Sequence, residues 1–181
     1  MRVLVGVLVI TLLVAGGVFA YIKLFGGAKA SYKDKRYGFE ISDQSGWYLI
    51  PQKKDVYYSL GTSDSSRKTV ISYFGVSPVK SAGVSTQSIG DMVSQSCISL
   101  ANERKQNQTG FDEVTLNGKS GFECVSEGKP DNVDKVYTFR LYTLLGGSGA
   151  QYDYVLSASF PKGDAIEEGK VNRIVNSFRF N

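Results

Sequence analysis

Histidine is missing altogether from the 181 residues, and cysteine occurs only twice. The first absence removes the commonest general base and the commonest metal ligand. A Ser-His-Asp or Cys-His nucleophile pair cannot be assembled inside this chain. A zinc site built on imidazole is excluded as well, and two thiols are too few for a four-cysteine structural site. Concentrated positive charge is also lacking. The formal charge is +4, but Arg2, Lys23 and Lys29 lie in the first thirty residues, which hold no acid. The rest carries 18 basic and 17 acidic side chains, with no clustered basic face of the kind nucleic acid requires. The small group Lys33, Lys35 and Arg36 reads as a solvated linker, with anionic lipid head groups as the alternative contact.

What is present first is a long apolar run, Val3 to Phe25, interrupted only by Thr11, small glycines and Lys23. About 20 residues suffice to cross the hydrocarbon of a bilayer as a helix. Val3, Leu4, Leu8, Ile10, Leu12, Leu13, Phe19 and Ile22 are its expected lipid-facing anchors. Tyr21 and Lys23 fit the interface, as an amphipathic ring and an ammonium that can snorkel to the head groups. A cleaved signal peptide is the competing reading, with an exit at Val18-Phe19-Ala20 or Ala28-Lys29-Ala30. The run is longer than the usual signal core and ends in apolar residues, which favours an uncleaved anchor. No cysteine lies near residue 20, so a bacterial lipoprotein anchor is excluded. With no domain ahead of Arg2, the expectation is a single-pass protein whose C-terminal part is extracytoplasmic. The alternative is a periplasmic or secreted protein after cleavage.

Residues 1–30 are therefore expected to be anchor and tether, the tether running from Ala28 to Lys35, and 31–181 one domain large enough for a core. Tyr37 to Ser42 alternates as a half-buried strand does. A turn at Asp43-Gln44-Ser45-Gly46 follows, and Trp47 to Ile50 ends at Pro51, with Trp47 expected to plug one end of a sheet. Val56 to Leu60 and Thr69 to Val76 read as strands around a loop from Gly61 to Lys68, and Pro78 to Ser85 as a break. Ile89, Met92, Val93, Cys97, Leu100 and Ala101 then recur at helical spacing over about 18 residues. Ser88 and Asp91 resemble a capping box there. Phe111 to Leu116 meets Gly121 to Ser126 across Asn117-Gly118, a strong hairpin signal. Val136 to Leu145 and Tyr152 to Phe160 are longer strands. Their glycine loop lacks both the spacing and the following helix of a phosphate cradle. A final helix from Ala165 to Ser177 places Ile166, Val171, Ile174, Val175 and Phe178 roughly on one side. Strands, helix, strands, helix imply an α+β antiparallel sheet covered by helices.

Three stretches carry a resemblance. "YGFEISDQSGWYLIP" is similar to the "gFsi..P.gW" opening of the PsbP-like family, which includes DcrB-type bacterial envelope proteins. "VTLNGKSGFEC" resembles that family's hairpin after the first helix, and "YVLSASFPKGDAIEEGKVNRIVNSFRF" its closing strand, helix and "i..SF.f". The likeness spans about residues 32–181, with Ser45 where a proline usually precedes Gly-Trp. It implies an α/β/α sandwich with a central antiparallel sheet and a non-enzymatic role in binding larger assemblies. No catalytic residue carries across.

Cys97 falls on the inward helix face and Cys124 on the strand after the Asn-Gly turn. An oxidising compartment favours a disulfide between them, with two buried free thiols as the alternative. Asp112, Glu113, Glu123, Glu127, Asp131 and Asp134 are enough carboxylates for glycosidic chemistry or Ca²⁺. Turn and surface roles explain them more simply, and no calcium-loop spacing occurs. Asn107-Gln108-Thr109 matches a glycosylation sequon that matters only in a eukaryotic secretory pathway. Tyr37, Tyr57, Tyr58, Tyr73, Tyr137, Tyr142, Tyr152 and Tyr154 are expected in strands, half of them facing a core. The functional expectation is a membrane-anchored, non-enzymatic module of the bacterial envelope that contacts a protein partner and needs no cofactor. A carrier of a small ligand or lipid is the alternative.

Overall fold

A computed structural model describes residues 31–51, 56–63, 69–81, 86–131, 133–147 and 149–180. The expected anchor at Val3 to Phe25 lies outside these. Among the described residues no helix is long and apolar enough to cross a membrane.

Among the described residues ten strands and two helices follow one another. They are β1 (Tyr32–Asp34), β2 (Phe39–Ile41), β3 (Tyr48–Leu49), β4 (Tyr58–Ser63), β5 (Val70–Lys80) and α1 (Thr86–Glu103). After these come β6 (Asn107–Leu116), β7 (Lys119–Gly128), β8 (Tyr137–Leu144), β9 (Tyr152–Pro161), α2 (Ala165–Ser177) and β10 (Phe178–Phe180). All pairings are antiparallel. Seven strands form one sheet in the order β3-β4-β5-β9-β8-β7-β6, and β1-β2-β10 form a second, smaller one. The protein is thus α+β, as its alternating patterns imply.

Side-chain parity fixes the layers. Leu60, Phe74, Leu156, Phe160 and Leu144 point from the large sheet into a core completed by Phe39 and Ile41 of β2, Val171 and Ile174 of α2, and Phe178 of β10. Tyr32 stacks on Tyr58 with centroids 4.0 Å apart, and Trp47 meets Phe74 edge-on. On the opposite face Cys97 of α1 is joined by a disulfide to Cys124 of β7, with Cα atoms 6.1 Å apart. The two helices therefore lie on opposite faces of the large sheet.

Several local expectations are corrected. The tether does not reach Lys35, because Tyr32–Asp34 already pairs with Phe39–Ile41. Tyr37 lies in the turn between β1 and β2, and Tyr57 just precedes β4. Gly61 is inside β4, and Pro78 inside β5 rather than in a break. β4 leaves β5 at Val76, so the missing N–H of Pro78 costs no bond on that side. Helix α1 starts at Thr86, two residues before Ser88. Met92 is 63% exposed. It precedes Cys97 by five positions, which is about 140° round a helix. Ile166 also faces water, and Glu167 takes the inward position that continues the stripe of Val171, Ile174 and Val175. Asp164 caps that helix by accepting from the backbone N–H groups of Ile166 and Glu167. The Asn117-Gly118 turn has φ of 51° and 81°, positive at both central residues as such a hairpin requires.

Candidate functional site

Helix α1 covers only part of its face of the large sheet. Gly90 brings it down onto β7: a Cβ there would lie 3.1 Å from the Phe122 ring. Phe122 in turn stacks on Phe111 of β6, centroids 5.7 Å apart. Cys97 and Ala101 seal this contact, both buried. Beyond β7 no second helix among the described residues covers this face, and a partly open groove of about 630 Å³ runs across β8, β9 and β5.

Register explains why the surface is concave. Tyr73 of β5, Ser159 of β9 and Phe139 of β8 form one cross-strand row; Gly75, Ser157 and Leu141 form the next. The central strand thus contributes small hydroxyl side chains, and its neighbours contribute large rings and branched groups. A trough with a serine floor and apolar walls results. Tyr73 lies flat because Gly75 follows two residues later on the same face: a Cβ at 75 would stand 2.3 Å from the Tyr73 hydroxyl oxygen. Ile50, Val56 and Val70 bound the far side, while Leu100 and Arg104 border it on the α1 side. The disulfide sulfurs belong to the same wall, since Cys97 and Cys124 both line the groove. Apolar walls with a few polar groups are what small-molecule and peptide sites share.

The other face of the sheet is filled. Glu167 is buried there and accepts hydrogen bonds from Thr62 Oγ1 at 2.6 Å and Ser72 Oγ at 2.7 Å, with Lys170 Nζ at 2.5 Å. Burial pushes its carboxyl up, but these donors together hold it below the usual range. Arg140 reaches Glu168 at 2.7 Å and Asn172 at 2.7 Å, and its Nε sits 3.7 Å from Glu123, an ion-pair distance too long for a hydrogen bond. Burial raises Tyr142, and Glu123 adds to the effect. Burial alone pushes the Tyr58 hydroxyl up to about 12, against a hydrogen bond it donates to Gln44.

The carboxylates considered as a reactive cluster are dispersed. Glu123 serves Arg140, Glu127 pairs with Lys162 and Asp134 with Lys129. Asp112 lies opposite Glu123 across β6 and β7, while Glu113 belongs to the other face. Among the described residues no three Asp, Glu, Cys or His side chains are grouped so as to hold a metal ion. Of the tyrosines, Tyr58, Tyr142 and Tyr154 are buried, while Tyr73 and Tyr137 border the groove. The groove itself was not foreseen from the sequence. Its signal is the alternation in Tyr152 to Phe160, where Leu156, Ala158 and Phe160 are apolar and the opposite face offers Ser157 and Ser159.

No family model matches the chain, and neither does any curated protein. Solved structures do match. The solution structure of cyanobacterial PsbP (CyanoP) from Synechocystis sp. PCC 6803 aligns with a TM-score of 0.59 at 13% identity, over 86% of this chain and 96% of that one. LpqN, involved in cell envelope biogenesis of Mycobacterium tuberculosis, aligns at 0.55 and 13% identity, over 86% and 87%. The Saccharomyces cerevisiae Ran-binding protein Mog1p aligns at 0.53 and 13% identity, over 83% and 94%. Against a Bacteroides thetaiotaomicron structure the chain spans 48% of the other's length.

Proposed function

Starting from the PsbP-like fold that this chain adopts, we propose that it is a non-enzymatic binding module. It is held at the outer face of a bacterial membrane by residues 3–25, and it takes an apolar segment of an envelope or membrane protein into the groove. The half-covered sheet face carries this reading, because an apolar trough of about 630 Å³ is where a partner gains most by excluding water. The partly open form suits a segment of chain, which enters from the side. The want of histidine and the dispersal of the carboxylates into ion pairs support a role in binding over one in catalysis. LpqN's involvement in envelope biogenesis is a parallel of setting.

Photo-crosslinking on intact membranes tests the proposal, with a photoreactive residue at Tyr73 of the full-length protein and a second at Ile166 on the far face. A protein neighbour captured from 73 and not from 166 is the expected result. Ser157→Phe, which fills the floor, should abolish that capture while leaving the melting temperature within a few degrees. Equal capture from both positions would overturn the groove as the site. The groove's volume lies within the roughly 300–1,000 Å³ of ligand pockets, which favours a lipid or small-molecule carrier as the second reading. Recovery of lipid alone at position 73 would select it.

A further inference from the structure

A second concavity lies at the other end of β9, independent of the groove. It measures about 330 Å³ and is bordered by Lys35, Arg36 and Lys119, with Tyr37, Tyr152 and Phe180 as aromatic walls. Two distant parts of the chain deliver the cations. The turn between β1 and β2 supplies Lys35 and Arg36, and the start of β7, just after the Asn117-Gly118 turn, supplies Lys119.

Several cations on this domain are neutralised by an acid. Lys33 pairs with Glu40, Lys129 with Asp134, Lys162 with Glu127 and Lys170 with Glu167. Lys35, Arg36 and Lys119 have no carboxylate partner among the described residues. Lys119 is nonetheless fixed: its ammonium donates to Gly146 O at 2.7 Å and stands 5.6 Å from the centroid of the Phe180 ring. Two of its three donors are left for a ligand. The Arg36 guanidinium lies 5.1 Å from the Tyr37 ring centroid. Two acids lie nearby: Asp153 is engaged by the Gly146 N–H at 2.8 Å, and Asp34 accepts from the Tyr37 N–H and the Tyr32 and Tyr57 hydroxyls.

We propose that this pocket, formed by Lys35, Arg36 and Lys119 over the Tyr37, Tyr152 and Phe180 rings, binds the phosphate of an organic phosphate ester. A phosphate offers several strong acceptor oxygens and up to two charges, matching three cations better than a single carboxylate does. The aromatic walls take the adjoining carbon skeleton. The same phosphate chemistry can be presented by an anionic lipid headgroup or by a soluble ester.

Calorimetric titration of the full-length protein in neutral detergent separates these sources. One arm adds glycerol 3-phosphate; the other adds short-chain phosphatidylglycerol to the same micelles. Saturable binding in the first arm identifies a soluble ester, and binding in the second alone identifies a headgroup; either supports the site. Lys35→Gln with Arg36→Gln should weaken binding roughly tenfold or more, since each cation near an anionic surface contributes measurably. Lys129→Gln with Lys135→Gln removes the same charge elsewhere and should leave affinity unchanged. Both Lys35 and Arg36 are exposed, so the first variant is expected to melt with the wild type. No binding in either arm, or equal loss in both variants, overturns the proposal.

Discussion

Asp34 is a buried carboxylate placed among three donors. Tyr37 N–H approaches at 2.7 Å, the Tyr57 hydroxyl at 2.8 Å and the Tyr32 hydroxyl at 2.9 Å. Burial pushes its pKa up, but those hydrogen bonds outweigh burial and hold it below the ordinary carboxylate range. Glu167 is held low in the same way. A carboxyl with a depressed folded pKa adds stability that is complete above the unfolded value of about 4 and fades as pH falls through the folded one. Thermal melts between pH 7 and pH 2 should therefore lose midpoint below about pH 4, and Asp34→Asn should flatten that loss. Asp34→Ala strands three donors and should cost about 2–4 kcal/mol in urea denaturation at pH 7. A flat pH profile in the wild type would show that these carboxyls are not poised as described.

At the scale of elements, the disulfide between α1 and β7 is the main covalent constraint. It closes a loop with 27 residues of separation, worth about 3–4 kcal/mol by the chain-entropy estimate. Replacing Cys97 and Cys124 by alanine should lower stability by about that amount in guanidinium titrations. Because both cysteines line the groove, the same variant should also change capture from position 73. Strand β7 is intolerant at Gly121, where a Cβ would stand 2.2 Å from the Thr143 carbonyl oxygen. Gly121→Ala should cost about 2–3 kcal/mol, read by the same titration. Backbone on backbone leaves nothing flexible to yield.

For the whole molecule, the sequence discloses the elements better than their arrangement. The Asn-Gly hairpin, the limits of α2 and the alternation of β8 and β9 are local effects, and they are legible locally. Ile166 shows where that reading fails: an apolar residue was assigned inward, yet the phase of Val171, Ile174 and Val175 leads back to Glu167, whose burial is made tolerable by Thr62, Ser72 and Lys170. Of the second sheet only β2 is legible, in the alternation of Tyr37 to Ser42; three-residue strands at positions 32, 39 and 178 carry too little pattern to announce their partnership. Concavity of the groove depends on serines on β9 standing between rings on β5 and β8, and no single segment contains that relation. The PsbP-like outline was readable because aromatic and glycine positions recur near its turns.

The small sheet sets a clock on assembly. β2 gains β1 within a few residues, but its other neighbour, β10, follows only after the large sheet and both helices have been made. At typical synthesis rates that interval is on the order of ten seconds. Phe39 and Ile41 wait throughout it without Phe178, against which Phe39 finally stacks at 5.5 Å. The nascent chain therefore presents a sticky apolar strand for most of its synthesis. A holding chaperone that binds extended apolar segments would find its target there, and would have to release it when β10 arrives.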